Sequence, residues 1–229
     1  MAFPEPITPP RIRSFIRRQG RMTLGQQQAL EKYWDKYCLD PRNRYDFTEV
    51  FGRSAPTIVE IGFGNGESLA QMAASHPELN YIGIEVHQPG VGHLMLQLEQ
   101  QGLHNVRIYC HDAIEILEQQ LSDDSLAGIH LFFPDPWPKK RHHKRRIVRP
   151  DFVGLLMRKL APGGYFHAAT DWEHYAEHML KVLSAANGLM NASKTGDFCE
   201  RPEYRPVTKF ENRGLRLGHG VCDLIFFKI

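Results

Sequence analysis

Residues 57–68, TIVEIGFGNGES, read as a strand, a glycine turn and the start of a helix. A short β-rich run, 57–61, is followed by Gly62, Gly64 and Gly66 at a spacing of two, and a helical pattern opens at Glu67. In this arrangement backbone can approach a nucleotide-like ligand at the carboxyl end of a strand. A dinucleotide fold would place its third glycine at position 67. Glu67 stands there instead, which argues against a nicotinamide-dependent oxidoreductase.

Outward from this stretch, β-rich runs alternate with helical patterns. After 57–61 and 67–75 come 81–84 and 89–101, then 106–110 and 113–120, then 126–133 and 151–160, then a strand near 165–169 and a helix near 174–186. Such alternation implies parallel strands covered by helices, a doubly wound α/β sheet. A last apolar run at 221–227 reads as a late strand. Upstream, Leu30, Tyr33, Trp34 and Tyr37 mark one face of a helix over 26–38, and Pro41 follows its end. Residues 1–25 read as a flexible basic arm and 26–229 as one domain, a size that a single core supports.

The net charge of +2 conceals segregation. Residues 1–21 hold five arginines against one Glu, and 139–149 hold seven Lys/Arg and no acid, leaving 16 basic and 25 acidic residues elsewhere. An acidic body with two basic patches points to a polyanionic partner, because clustered cations gain from counterion release along a phosphate backbone. Four cysteines without a Cys-x-x-Cys pair suggest neither a disulfide framework nor zinc, and no carboxylate or cysteine stands at ligand spacing to the histidines, so no metal is expected. No apolar run could span a bilayer and no signal core is visible, so a soluble, cytoplasmic protein is expected.

Acids close three successive strands: Glu60, Glu85 and Asp112. Glu85 lies nineteen residues after the last glycine, where a carboxylate can accept from both hydroxyls of a ribose. Asp112 can cap the following helix, or, as the family resemblance given next implies, accept from an adenine amine. After the fourth run comes Pro134-Asp135-Pro136-Trp137-Pro138-Lys139-Lys140, which three prolines stiffen, and then Arg141, His142, His143, Lys144, Arg145 and Arg146.

The glycine spacing with Glu60 ahead of it resembles motif I of class I S-adenosylmethionine-dependent methyltransferases. More specifically, VEIGFGNGES, GIE at 83–85, FFPDPWPKKRHHKRR at 132–146, ATDW at 169–172 and TKFE at 208–211 resemble the bacterial tRNA (guanine-N7-)-methyltransferases. The resemblance implies a Rossmann-like, mostly parallel sheet with a late antiparallel strand. It implies S-adenosyl-L-methionine as cofactor, held by Glu60, Gly62, Gly64, Gly66, Glu85, Asp112 and Asp135, with Asp135 also catalytic. Lys139, Asp171, Thr208, Lys209, Phe210 and Glu211 would contact the substrate, and the run from Arg141 through Arg146 would contact tRNA. The implied product is 7-methylguanosine at position 46 of the variable loop. No obligate protein partner is implied, and a monomer and a homodimer both fit. Two rivals keep the fold: a methyltransferase acting on another nucleic acid or a protein, and an inactive RNA-binding module. The intact set Glu60, Glu85, Asp112 and Asp135 argues against the second.

Overall fold

A computed structural model describes residues 12–16, 20–207, 211 and 220–229. Helices α1 (Leu24–Tyr37) and α2 (Phe47–Phe51) precede the sheet. Then follow β1 (Thr57–Ile61), α3 (Glu67–Ser75), β2 (Asn80–Ile84), α4 (Gln88–Gln101), β3 (Val106–Tyr109), α5 (Ala113–Gln119) and β4 (Leu126–Phe132). A 3-10 turn (Lys140–Arg145), α6 (Pro150–Lys159), β5 (Leu160–Thr170), α7 (Glu173–Ser184), β6 (Leu189–Asn191) and β7 (Cys222–Lys228) complete the described chain.

The strands form one sheet in the order β3-β2-β1-β4-β5-β7-β6. Its first five strands are parallel, and β7 runs antiparallel to both β5 and β6. The expected doubly wound sheet and its late antiparallel strand are thus both present. Every residue of β1 and β2 is buried, because helices cover both faces of the sheet. Alternate residues feed two cores. Ile58 joins Tyr81, Leu94 and Leu98 beneath α1, α3 and α4, whereas Val59 and Ile61 join Ile129, Phe152 and Met179 beneath α5, α6 and α7. Strand order reverses between β1 and β4, and the crevice at that switch point faces the carboxyl ends of the strands, where such sheets bind ligands.

Several boundaries differ from the sequence expectation. Helix α1 starts at Leu24 rather than 26, because Thr23 and Gln26 form a reciprocal capping box. Strand β5 begins at Leu160, the residue assigned to the end of the preceding helix, and reaches Tyr165 through a register shift opposite Leu126 and Gly128. Pro162, Gly163 and Gly164 hide that first half from any β pattern. Helix α2 and strand β6 are too short, at five and three residues, to show a period.

Helix α4 packs almost backbone to backbone on the glycine turn: a Cβ on Gly90 would stand 2.0 Å from the Gly64 carbonyl oxygen. Gly154 in α6 meets nothing within 4 Å. Gly90→Ala is expected to destabilise the protein by roughly 1–3 kcal/mol and to displace the turn. Gly154→Ala should stabilise by roughly 0.5–1 kcal/mol, since there the only change is helix propensity. Thermal melts of the two variants check the contrast.

Candidate active site

The turn from Gly62 to Gly66 takes positive φ at all three glycines, 72°, 60° and 76°. Gly62 N–H donates to the Ile84 carbonyl at 2.7 Å, and Gly64 N–H donates to Glu85 Oε2 at 2.9 Å. The other oxygen of Glu85 accepts from Val86 and His87 at 2.7 and 3.0 Å. Oε2 keeps a free lone pair for a ligand hydroxyl. A cavity of about 340 Å³ opens here, lined by Gly62, Glu85, His111, Phe132, Phe133 and Asp135 among others. Its wall joins the ends of β1, β2 and β4.

Glu60 lies behind that wall, 2 % exposed, with Oε2 lacking a hydrogen-bond partner among the described residues. Burial, helped by the neighbouring Glu85 charge, pushes its carboxyl up to about 8. Asp112 does what the capping alternative requires: Oδ1 accepts from Ile114 N–H at 2.9 Å at the start of α5. His111 and Ala113, its neighbours, line the cavity.

The loop after β4 carries Asp135 to the cavity mouth, where its side chain is exposed. Phe133 and Trp137, at either end of it, hold φ of 50° and 46°, conformations that bulky side chains rarely adopt. Trp137 Nε1–H donates to the Ser14 carbonyl at 3.1 Å, and Ser14, Phe15 and Ile16 line one side of the cavity. The sequence predicts a flexible, basic arm facing a polyanion; its seating on the Asp135 loop and the cavity wall is additional. Apolar Phe15 and Ile16 between arginines left only a weak signal.

The basic run does not present all its charges outward. Lys139, Arg141 and Lys144 are exposed, His142 and His143 are half-buried, and Arg145 lies over the Trp137 ring at 5.1 Å. Arg146 corrects the expectation of an RNA contact. It is 1 % exposed, its Nε–H donates to the Pro136 carbonyl at 2.9 Å, and its guanidinium stacks on Tyr175 at 4.7 Å. From there it holds the Asp135 loop against α7 and does not face solvent.

Asp171 is exposed between β5 and α7, next to the half-exposed ring of Trp172. Phe133 N–H donates to the Ala169 carbonyl at 2.7 Å, so Asp135 and Asp171 issue from adjacent strand ends. Thr208, Lys209 and Phe210 lie outside the described residues. Glu211 is 5 % exposed, with its oxygens accepting from Arg205 at 2.7 and 3.0 Å. Sequence reasoning missed Arg205, one more charge in a loop without a period.

Fold and site together define a class I methyltransferase. Among solved structures, the 16S rRNA methyltransferase KamB aligns with a TM-score of 0.57 over 81 % of this chain and 94 % of its own, at 13 % identity, a likeness of fold. The family model described as Putative methyltransferase matches residues 54–224. The tRNA (guanine-N(7)-)-methyltransferase of Shewanella amazonensis is 59 % identical over 220 residues, 96 % of this chain and 92 % of that relative. Its namesake from Yersinia enterocolitica is 58 % identical over 217 residues, 94 % and 91 % of the two chains. The chain belongs to the tRNA (guanine-N(7)-)-methyltransferase family.

Two outcomes follow from the geometry. The raised carboxyl of Glu60 means that the folded state binds a proton more tightly than the unfolded chain, so the contribution of Glu60 to stability is fully present below pH 4.5 and is lost as pH rises toward about 8. In cofactor-free protein, Glu60→Gln should melt progressively higher than wild type across that window; parallel curves would show that Glu60 does not carry the proton. Arg146→Ala should cost roughly 1–3 kcal/mol, whereas Arg141→Ala and Lys144→Ala should stay within about 0.5 kcal/mol, as read by denaturant unfolding.

Proposed function

We propose that this chain transfers the methyl group of S-adenosyl-L-methionine to N7 of the guanine at position 46 in the variable loop of tRNA. The observation that carries the reading is the juxtaposition of a carboxylate-lined cavity ending at Asp135 with a cationic 3-10 turn leading directly from the same loop. The cavity's donor set fits the cofactor. Glu85 has acceptor capacity for a ribose, the Gly62, Gly64 and Gly66 turn allows close backbone approach, and the orphaned carboxyl oxygen of Glu60 suits a cationic amino group. Asp112, the cap of α5, stands between the cavity-lining His111 and Ala113, at the adenine end of the cofactor.

When bound, the cofactor supplies an electrophilic methyl carbon on a sulfonium. Guanine N7 carries an in-plane lone pair and no proton at neutral pH, so no residue has to act as a base. Positioning is then the main task of this chain, and near-attack placement can lower the barrier by roughly 7–11 kcal/mol. Asp135, at the cavity mouth, holds the guanine or cofactor edge and offsets the positive charge that N7 methylation places on the base. Asp171 and Glu211 accept from N1–H and the exocyclic amine, an edge that adenine lacks. Lys139 and the exposed Arg141 and Lys144, with Arg145, His142 and His143 beside them, hold phosphates rather than read bases. The base at position 46 enters the cavity by extrusion, at a cost of a few kcal/mol, unless its tertiary contact is already open. Among the described residues no helix is long and apolar enough to cross a membrane, and a tRNA substrate fits a cytoplasmic setting.

The test is incubation of the purified chain with unmodified tRNA and labelled S-adenosylmethionine, followed by borohydride and aniline cleavage at 7-methylguanosine. Label with scission in the variable loop is expected, and label without it would move the acceptor elsewhere. Asp135→Ala should lower kcat/KM by roughly 100-fold or more, and normal turnover would remove it from the mechanism. Affinity for tRNA should fall steeply with salt, with Lys144→Ala reducing the log–log slope by about one.

A further inference from the structure

Arg146 is a buried cation, 1 % exposed, and among the described residues none of its partners is an acid. Its Nε–H donates to the Pro136 carbonyl at 2.9 Å, and NH2 reaches His174 Nδ1 at 3.2 Å. A guanidinium only donates, so Nδ1 of His174 accepts. The guanidinium carbon lies over the Tyr175 ring at 4.7 Å, and NH1 has no hydrogen-bond partner among the described residues. Helix α7, which carries His174 and Tyr175, also grips the chain just past Arg146. The Tyr175 hydroxyl accepts from Val148 N–H at 3.4 Å, and His178 Nε2–H donates to the Val148 carbonyl at 2.9 Å. A buried cation without an ion pair is costly, and a well-packed apolar side chain would stabilise the fold at least as well. Stability alone therefore does not account for an arginine at this position.

We propose that Arg146 is a positioning residue for methyl transfer: by tying the Pro136 carbonyl to α7 it sets the direction in which the adjacent Asp135 side chain meets the cavity mouth. The inference rests on the reading that Asp135 acts at the reacting base. Asp135 is exposed and no described residue donates a hydrogen bond to its carboxylate, so its direction comes from the backbone. That backbone has little freedom. Pro134 and Pro136 have ring-locked φ, the second proline turns Asp135 away from helical conformations, and Phe133 N–H is pinned to the Ala169 carbonyl at 2.7 Å. Between the Asp135–Pro136 peptide and the next carbonyl one soft rotation is left, ψ of Pro136, and the bond from Arg146 stops it. The two residues also share a neighbour: burial pushes the Tyr175 hydroxyl up to about 12, with the Arg146 charge opposing the rise and the Asp135 charge adding to it. Lysine would keep the charge. It would lose the paired bonds to Pro136 and His174 and the flat face on Tyr175.

The experiment compares wild type, Arg146→Lys, Asp135→Ala and the double variant in methylation of tRNA at saturating cofactor, at temperatures well below their melting ranges. Affinity for tRNA as a function of salt, and melting temperature, are measured alongside. Arg146→Lys is expected to lower kcat by roughly 10-fold or more, since a misplacement of about 1 Å at a reacting group can cost about 100-fold. Its tRNA affinity should stay within about 3-fold of wild type with the salt slope unchanged. The double variant should be within about 2-fold of Asp135→Ala, because both changes act on one group. A purely structural Arg146 would lower the melting temperature and leave kcat intact, which overturns the proposal. So does a weaker affinity with the slope reduced by about one and full kcat at saturating tRNA, the signature of a phosphate contact. Losses that multiply in the double variant overturn it as well, because Arg146 would then act independently of Asp135. Normal turnover in Asp135→Ala overturns the reading of Asp135 beneath the proposal, whereas a slow Asp135→Ala beside a fully active Arg146→Lys overturns the proposal alone. Should Arg146→Lys not fold, His174→Ala takes its place: that ring is exposed, so its removal opens no core cavity, and it deprives Arg146 of its acceptor on α7. It should lower kcat by roughly 3-fold or more at unchanged tRNA affinity, and an unchanged kcat overturns the proposal.

Discussion

Three backbone N–H groups converge on the Glu85 carboxylate, from Gly64, Val86 and His87. By accepting all three, one side chain locks the turn after β1, the end of β2 and the N-terminus of α4 to one another. The lock works only because backbone can come this close. Gly90 lets α4 lie against the Gly64 carbonyl, and the left-handed glycines let the chain reverse between strand and helix without a side chain in the way. The sheet side of the cavity is placed relative to this junction: Ile61 and Gly62 by β1, His87 by α4, and Phe132 with Asp135 by the pairing of β4 with β1.

Charge in this protein has two distinct uses that a sequence does not separate. Arg141 and Lys144 face solvent, as a phosphate-binding run should. Arg146, next in the same run, turns inward because the chain beyond it enters the core at Val148, and its guanidinium ties the Pro136 carbonyl to α7. Arg205 is buried more completely still, between two acids. An isolated buried cation would be costly, and each of these is kept by acceptors or rings that surround it. The acidic body inferred from the sequence is therefore partly interior, since Glu60, Asp112, Glu211 and Asp223 are all buried.

What was legible follows from the range over which each signal acts. The run from β1 to α5 could be read because buried strands and amphipathic helices write their period over many residues, and the acids at the strand ends could be read because topology brings strand ends together. Asp112 shows the limit. A carboxylate after a strand and before a helix suits a ligand and a cap equally, and only coordinates show the bond to Ile114. Contacts between distant segments left no local trace, which is why the seating of Ser14 on Trp137, 123 residues away, and the Arg205 clamp were invisible. Helix α2 and the first half of β5 were lost for the opposite reason, a signal too short or broken by Gly and Pro.

The loop that carries Asp135 concentrates conformational cost. Left-handed Phe133 and Trp137 each cost on the order of 1–3 kcal/mol, and such strain survives only where the surroundings over-determine it. Here the restraints are specific: Phe133 is bonded to β5, Pro136 to Arg146, and Trp137 to the arm with Arg145 over its ring. Three prolines remove most of the remaining freedom. For a nucleophile that carries no proton, little is gained from a tuned base and much from geometry fixed beforehand. A strained loop braced from both sides at the end of the fourth strand is the form that this requirement takes when the scaffold is an open α/β sheet.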